Sequence, residues 1–186
     1  MHICIHKFFI TLLVVLCFTI LGALFVLRPK FAGIVVNTEP KSFVFVNGLN
    51  VGETPYEGIY TPGEIAIEVV PLNSDFLAYQ TKLDLVEGVK TFFSYNSGLT
   101  EDQTSVAIVS FEKGFNKETG IVIVSEPYDV TVFVNGVKVG LTPYKSNLSQ
   151  GEYLLSFEKE GYQSKSFLVK VIEGYKLTTW IKLSSF

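Results

Sequence analysis

One twelve-residue stretch occurs twice in this chain. Phe45-Val46-Asn47-Gly48-Leu49-Asn50-Val51-Gly52-Glu53-Thr54-Pro55-Tyr56 returns as Phe133-Val134-Asn135-Gly136-Val137-Lys138-Val139-Gly140-Leu141-Thr142-Pro143-Tyr144, with nine of twelve positions identical. The offset is 88 residues at every position. A motif this long repeated at a domain-sized period marks two copies of one folding unit. Asn-Gly tolerates positive φ at both centres of a type I′ turn, whose twist suits a hairpin. Val44 and Val46 alternate with Phe43 and Phe45 ahead of the turn, and Val130, Val132 and Val134 alternate in the second copy. Gly52 and Gly140 are expected to let the chain reverse. Pro55 and Pro143 lack an N–H and fit a turn or a strand start. The motif therefore predicts a hairpin with a structural role.

The flanks extend the pattern. In the second copy Glu126-Pro127, Gly151-Glu152-Tyr153 and Gly161-Tyr162 surround the motif; in the first, Glu39-Pro40 and Pro62-Gly63-Glu64 do. Together these residues resemble the PEGA domain. The first copy departs after Val70, where Pro71-Leu72-Asn73-Ser74-Asp75-Phe76 stands in place of Gly161-Tyr162 with two extra residues. The resemblance implies small all-β modules of prokaryotic envelope and surface proteins, and no enzymatic activity.

Residues 8–27 form an uncharged run of twenty, rich in Leu, Phe, Val and Ile. A helix of that length spans about 30 Å, the thickness of a bilayer's hydrocarbon core. Lys7 precedes it, Arg28 and Lys30 follow, and Pro29 would end it. A helix apolar on every face has little to pack against in a β-rich chain. Neither Gly22-Ala23-Leu24 nor Lys30-Phe31-Ala32 supplies a small-x-small cleavage site, so an uncleaved signal anchor is expected. Leu16 stands before Cys17 where lipid attachment would want a small residue. The flanking positive charges do not favour export; a short head is easily left inside, and the resemblance points to the envelope. The repeats are therefore expected outside.

Beyond the anchor, period-two alternation dominates. Ile34, Val36 and Thr38 are answered by Ile121, Ile123 and Ser125; Ile65, Ile67 and Val69 by Tyr153, Leu155 and Phe157. Leu83 and Leu85 are answered by Val169 and Val171, and Thr91, Phe93 and Tyr95 by Leu177, Thr179 and Ile181. Glu87-Gly88 and Glu173-Gly174 mark turns. About five strands per repeat with turns at their ends predict a small antiparallel sandwich. The expected fold is all-β: two tandem small antiparallel β-sandwich repeats preceded by one transmembrane α-helix. Its parts are a head (1–7), the span (8–27), repeat 1 (31–98), a linker with an extra strand (99–119) and repeat 2 (120–186). Residues 105–111 supply that strand, expected to pack with repeat 1; residues 112–119 would restrain the modules without fusing them. Units of this size bury limited surface and gain from a neighbour. Cys4 and Cys17 lie in or beside the span, so no disulfide supports the repeats.

From residue 31 onward there is no histidine and no cysteine. The common general base, the thiol nucleophile and the usual zinc ligands are thus missing there. No calcium-loop pattern occurs, and no catalytic, cofactor or metal residue is assigned. A glycosidase would need converging carboxylates, and those here are scattered. Repeat 1 (33–98) carries three Lys against eight acids; repeat 2 carries seven Lys against six. Residues 31–186 contain no Arg and are net negative, which disfavours nucleic acid. Tyr56, Tyr144, Tyr175 and Trp180 are the candidate binding surface, although aromatics also fill thin cores. The expected function is a non-catalytic, single-pass membrane protein presenting its modules to a cell-envelope polymer or protein. The alternative is a membrane-tethered assembly or regulatory subunit that docks a partner protein.

Overall fold

The computed structural model describes residues 16–19, 30–115 and 118–186. The predicted head and most of the predicted span lie outside the described residues; 16–19 are helical and exposed. Among the described residues no helix is long and apolar enough to cross a membrane.

The alternating segments of Phe31–Phe186 become fifteen strands among the described residues. Repeat 1 holds β1 (Ala32–Glu39), β2 (Ser42–Val46), β3 (Leu49–Glu53), β4 (Tyr56–Tyr60), β5 (Gly63–Pro71), β6 (Tyr79–Leu85) and β7 (Lys90–Asn96). A single strand follows, β8 (Ser105–Lys113). Repeat 2 holds β9 (Gly120–Glu126), β10 (Thr131–Val134), β11 (Val137–Leu141), β12 (Tyr144–Asn147), β13 (Gly151–Glu158), β14 (Lys165–Val171) and β15 (Tyr175–Lys182). Each repeat has seven strands where five were expected. The additional ones are short and carry little buried surface: β3 and β11 are exposed or half-buried throughout, so hydrophobic periodicity does not mark them.

The hairpin of the repeated motif forms as predicted. Asn47 and Asn135 adopt φ 50°, and Gly48 and Gly136 φ 79° and 78°. Each Asn also ties the hairpin to the next strand. The Asn47 N–H donates to the Ala66 carbonyl at 2.8 Å, and Asn47 Oδ1 accepts the Ala66 N–H at 2.9 Å. Asn135 makes the same two bonds with Leu154, each at 2.8 Å. Gly52 and Gly140, in contrast, do not reverse the chain. They sit within β3 and β11 opposite Val44 and Val132, where each ladder shifts register by a bulge.

The motif threonines are buried locks. Thr54 Oγ1 accepts the Ser42 N–H at 3.0 Å and lies 2.6 Å from Thr38 Oγ1. Thr142 Oγ1 accepts the Val130 N–H at 3.0 Å and bonds Ser125 Oγ. Each lock satisfies a backbone donor where the chain passes from one sheet to the other, through the cis bonds Glu39-Pro40, Thr54-Pro55, Glu126-Pro127 and Thr142-Pro143.

Two four-stranded sheets, β3-β2-β5-β6 and β11-β10-β13-β14, pack against a seven-stranded sheet ordered β12-β9-β15-β8-β7-β1-β4. The sandwiches are not purely antiparallel, as β1 pairs β7 in parallel and β9 pairs β15 in parallel. The five strands between the members of each parallel pair, β2–β6 and β10–β14, give the long crossover that parallel pairing requires. The larger correction concerns β8. It pairs antiparallel with β7 of repeat 1 and with β15 of repeat 2. The repeats are fused through one sheet, and the predicted loose linkage does not hold. The following segment is also stitched in place, with Gly114 N–H donating to Gly174 O at 2.8 Å and Gly174 N–H to Thr119 Oγ1 at 2.8 Å.

The strand order is a mirror image about β8, with β7 and β15 running the same way. Two repeats related like that use opposite faces of the shared sheet, because alternate residues of β8 point to opposite faces. Val106 belongs to the core of repeat 1, and Ile108 packs against it. Ala107, Val109 and Phe111 belong to the core of repeat 2. One strand thus serves two cores, which explains why residues 105–111 are apolar on both sides.

Candidate functional site

The four candidate aromatics do not gather at one surface. Tyr56 and Tyr144 begin β4 and β12, the two opposite edges of the seven-stranded sheet. Each is half-buried and packs against its own repeat's core. Tyr56 OH also lies 2.6 Å from Tyr60 OH; burial raises the Tyr60 phenol's pKa, and the Tyr56 hydrogen bond and charge raise it further. Tyr175 and Trp180 lie at the junction of the repeats. Tyr175 meets Phe111 edge-on at 6.3 Å and donates through its hydroxyl to Glu87 O of repeat 1 at 3.2 Å. Trp180 stands beside Ile108 on β8 and packs against the core of repeat 1.

A different surface forms a cleft. A cleft of about 630 Å³ opens where β14 borders the shared sheet beyond β8. Its floor comes from β7 and β8, with Phe92, Ser94, Ala107, Val109 and Phe111. Phe92 pairs with Val109, so both face this side. Its wall is β14, with every residue from Lys165 to Lys170 lining it. The lining is mostly apolar, as ligand clefts are.

Duplication explains why the cleft is open here. Beyond the two-residue insertion in repeat 1 the offset is 86, which aligns Tyr79, at the start of β6, with Lys165, at the start of β14, and Ser94 of β7 with Trp180 of β15. In repeat 1's seam the larger groups pack inward. Trp180 packs on that core, and Tyr79 stacks on Phe93 at 6.0 Å and on Tyr95 at 5.2 Å. In the other seam the small Ser94 stands where Trp180 does, and Phe92 remains 45% exposed. Lys165 replaces the stacked ring with a long cationic side chain.

Lys165 dominates the cleft's electrostatics. Its Nζ donates to Ser105 Oγ at 3.1 Å, and no carboxylate among the described residues forms an ion pair with it. Burial pushes its pKa down to about 8. The other cationic groups of the lining face acids: Lys90 pairs with Glu57, and Lys170 stands opposite Glu152 on β13. Among the described residues no three His, Cys, Asp or Glu side chains converge as metal ligands would. The arrangement can hold an apolar segment and offer one cation to it. The sequence does not single out Ser94 or Lys165; the only trace is the difference between aligned positions of the two repeats.

Residues 118–184 match the family model of the PEGA domain. Neither the comparison with curated proteins nor that with solved structures gave a match. The match spans all seven strands of repeat 2, β9 to β15, and repeat 1 reproduces its strand order, its hairpin and its threonine lock. The chain therefore carries a PEGA domain, formed by its second repeat.

Proposed function

We propose that this chain is a non-catalytic, membrane-anchored envelope protein whose fused modules form a rigid binding platform on the extracytoplasmic side. The single-pass anchor is residues 8–27, and the repeats carry binding surface away from the bilayer. The observation that carries this reading is the sharing of β8. Two modules joined through one continuous sheet keep a fixed relation that a flexible tether would not give. The absence of histidine and cysteine from residues 31–186 supports a binding role over a catalytic one. Protease protection tests the placement: an antibody to repeat 2 should report digestion in cells with a permeabilised outer barrier and protection in inverted vesicles. The reverse pattern would overturn it.

The open cleft favours a second reading, that of a membrane-tethered assembly or regulatory subunit docking a partner protein. A cleft bordered by a sheet edge suits a polypeptide better than a sugar polymer, since the edge presents backbone donors and acceptors at strand spacing. Co-purification of a protein with the wild-type chain but not with a cleft variant would support that reading. Equal capture of purified cell-wall polymer by both would favour the first.

A further inference from the structure

β14 ends its four-stranded sheet, with β13 on one side and, among the described residues, no strand on the other. Such an edge carries a row of unpaired N–H and C=O groups. The way it meets the cleft is informative. A strand that shows one face to a cavity lines it with alternate residues. Here six consecutive residues, Lys165 through Lys170, line it, so the strand presents its edge. β6, the duplicate of β14, is an edge too, but its seam is packed by Tyr79 and Trp180. β14 is the edge with an apolar cleft beside it.

We infer that the cleft receives an extended peptide segment of a partner protein, which adds as a fifth strand beside β14 and places a carboxylate on Lys165. The proposal deepens the second reading above and rests on it. Backbone bonds to β14 would supply register, and apolar side chains would lie over Phe92, Val109 and Phe167, as in strand addition generally. The charge complement follows from the cleft's own balance. Lys90 and Lys170 have acidic neighbours, whereas Lys165 has a hydroxyl. A carboxylate arriving with the peptide would neutralise that one cation in a partly dehydrated place, where charge-assisted bonds are strongest. The cleft's volume falls in the range of ligand sites and suits a short segment, not a folded domain. β14's seven residues match the length of an ordinary strand partner.

The test selects linear heptapeptides from a display library on the full-length chain in detergent, then measures one labelled peptide by fluorescence anisotropy. Selected peptides should share an acidic residue flanked by alternating apolar ones. Lys165→Met should weaken binding about tenfold or more. Ser94→Trp, which copies the residue found at the equivalent Trp180, should fill the cleft and abolish binding. Its unfolding midpoint should stay near wild type, which separates occlusion from misfolding. N-methylation of alternate peptide amides should weaken binding as well, because it removes backbone donors. Failure to select any peptide, or binding indifferent to both Ser94→Trp and N-methylation, would overturn the strand-addition proposal. If a partner protein still co-purified equally with wild type and Ser94→Trp, the docking reading would survive and this site for it would fall. If neither peptide nor partner bound, both would fall.

Discussion

The same chemical change at two buried threonines should act in opposite directions. Thr142 is 1% exposed and Thr179 is fully buried. In Thr142→Val the side-chain shape is nearly kept, but the Val130 N–H loses the acceptor it held at 3.0 Å. Ser125 loses one partner and retains the Pro127 carbonyl at 2.6 Å. One buried backbone donor is then orphaned, which costs about 2 kcal/mol. For a chain of this size that is a fall of about 4–8 °C in Tm. Thr179 Oγ1 has no hydrogen-bond partner among the described residues. Thr179→Val removes an unpaired hydroxyl from the core of repeat 2 and should leave stability unchanged or raise it by about 1 kcal/mol. Thermal unfolding of both variants, followed by fluorescence of the single tryptophan, Trp180, measures the pair side by side. If Thr142→Val cost no more than Thr179→Val, the lock would not be a buried hydrogen-bonded group, and the structural account of the motif would fail.

Asn135→Ala should cost about 1–2 kcal/mol, from the lost bond to Leu154 N–H and the strain of Ala at positive φ, and Asn47→Ala should match it; urea midpoints check both. Lys165 gives a pH signature. Its folded pKa, about 8, lies below the unfolded value of 10.5, so the unfolded state binds more protons between them. Stability should therefore rise as pH increases from about 8 towards 10.5, and Lys165→Met should lose that rise relative to wild type, as urea titrations across the window would reveal. Phe111→Ala, on the face of β8 toward repeat 2, should cost about 3–5 kcal/mol. Its transition should remain single by tryptophan fluorescence and far-UV circular dichroism alike, because β8 belongs to both cores.

The repeat, the Asn-Gly hairpins and the core-facing strands were legible from sequence because each leaves a local mark. Ile34, Val36, Ile67 and Val69 are buried as alternation predicts. Sheet order leaves no such mark. Nothing in residues 105–111 says which neighbours the strand will take. Its double-sided apolarity fits burial on both faces, which becomes readable only once two cores are seen to meet on it. The polar edge strands β3 and β11 escaped for the opposite reason: strands without a buried face have no period to detect. The aromatics drew notice as residue types, yet each packs against a core. The cleft arises where repeat 2 has Lys165 in place of Tyr79, and repeat 1 has Ser94 in place of Trp180. Such a site comes from differences between the copies, while the sequence motif is made of what they share.

The sharing of β8 is tested most directly by cross-strand proton contacts at one residue. Ala107 stands opposite Ser94 on β7 and opposite Ile181 on β15. Nuclear Overhauser effects from Ala107 should therefore reach both residues in the same sample. Contacts to Ser94 alone would return β8 to the first repeat, leave the repeats as separate modules and remove the seam on which the cleft depends.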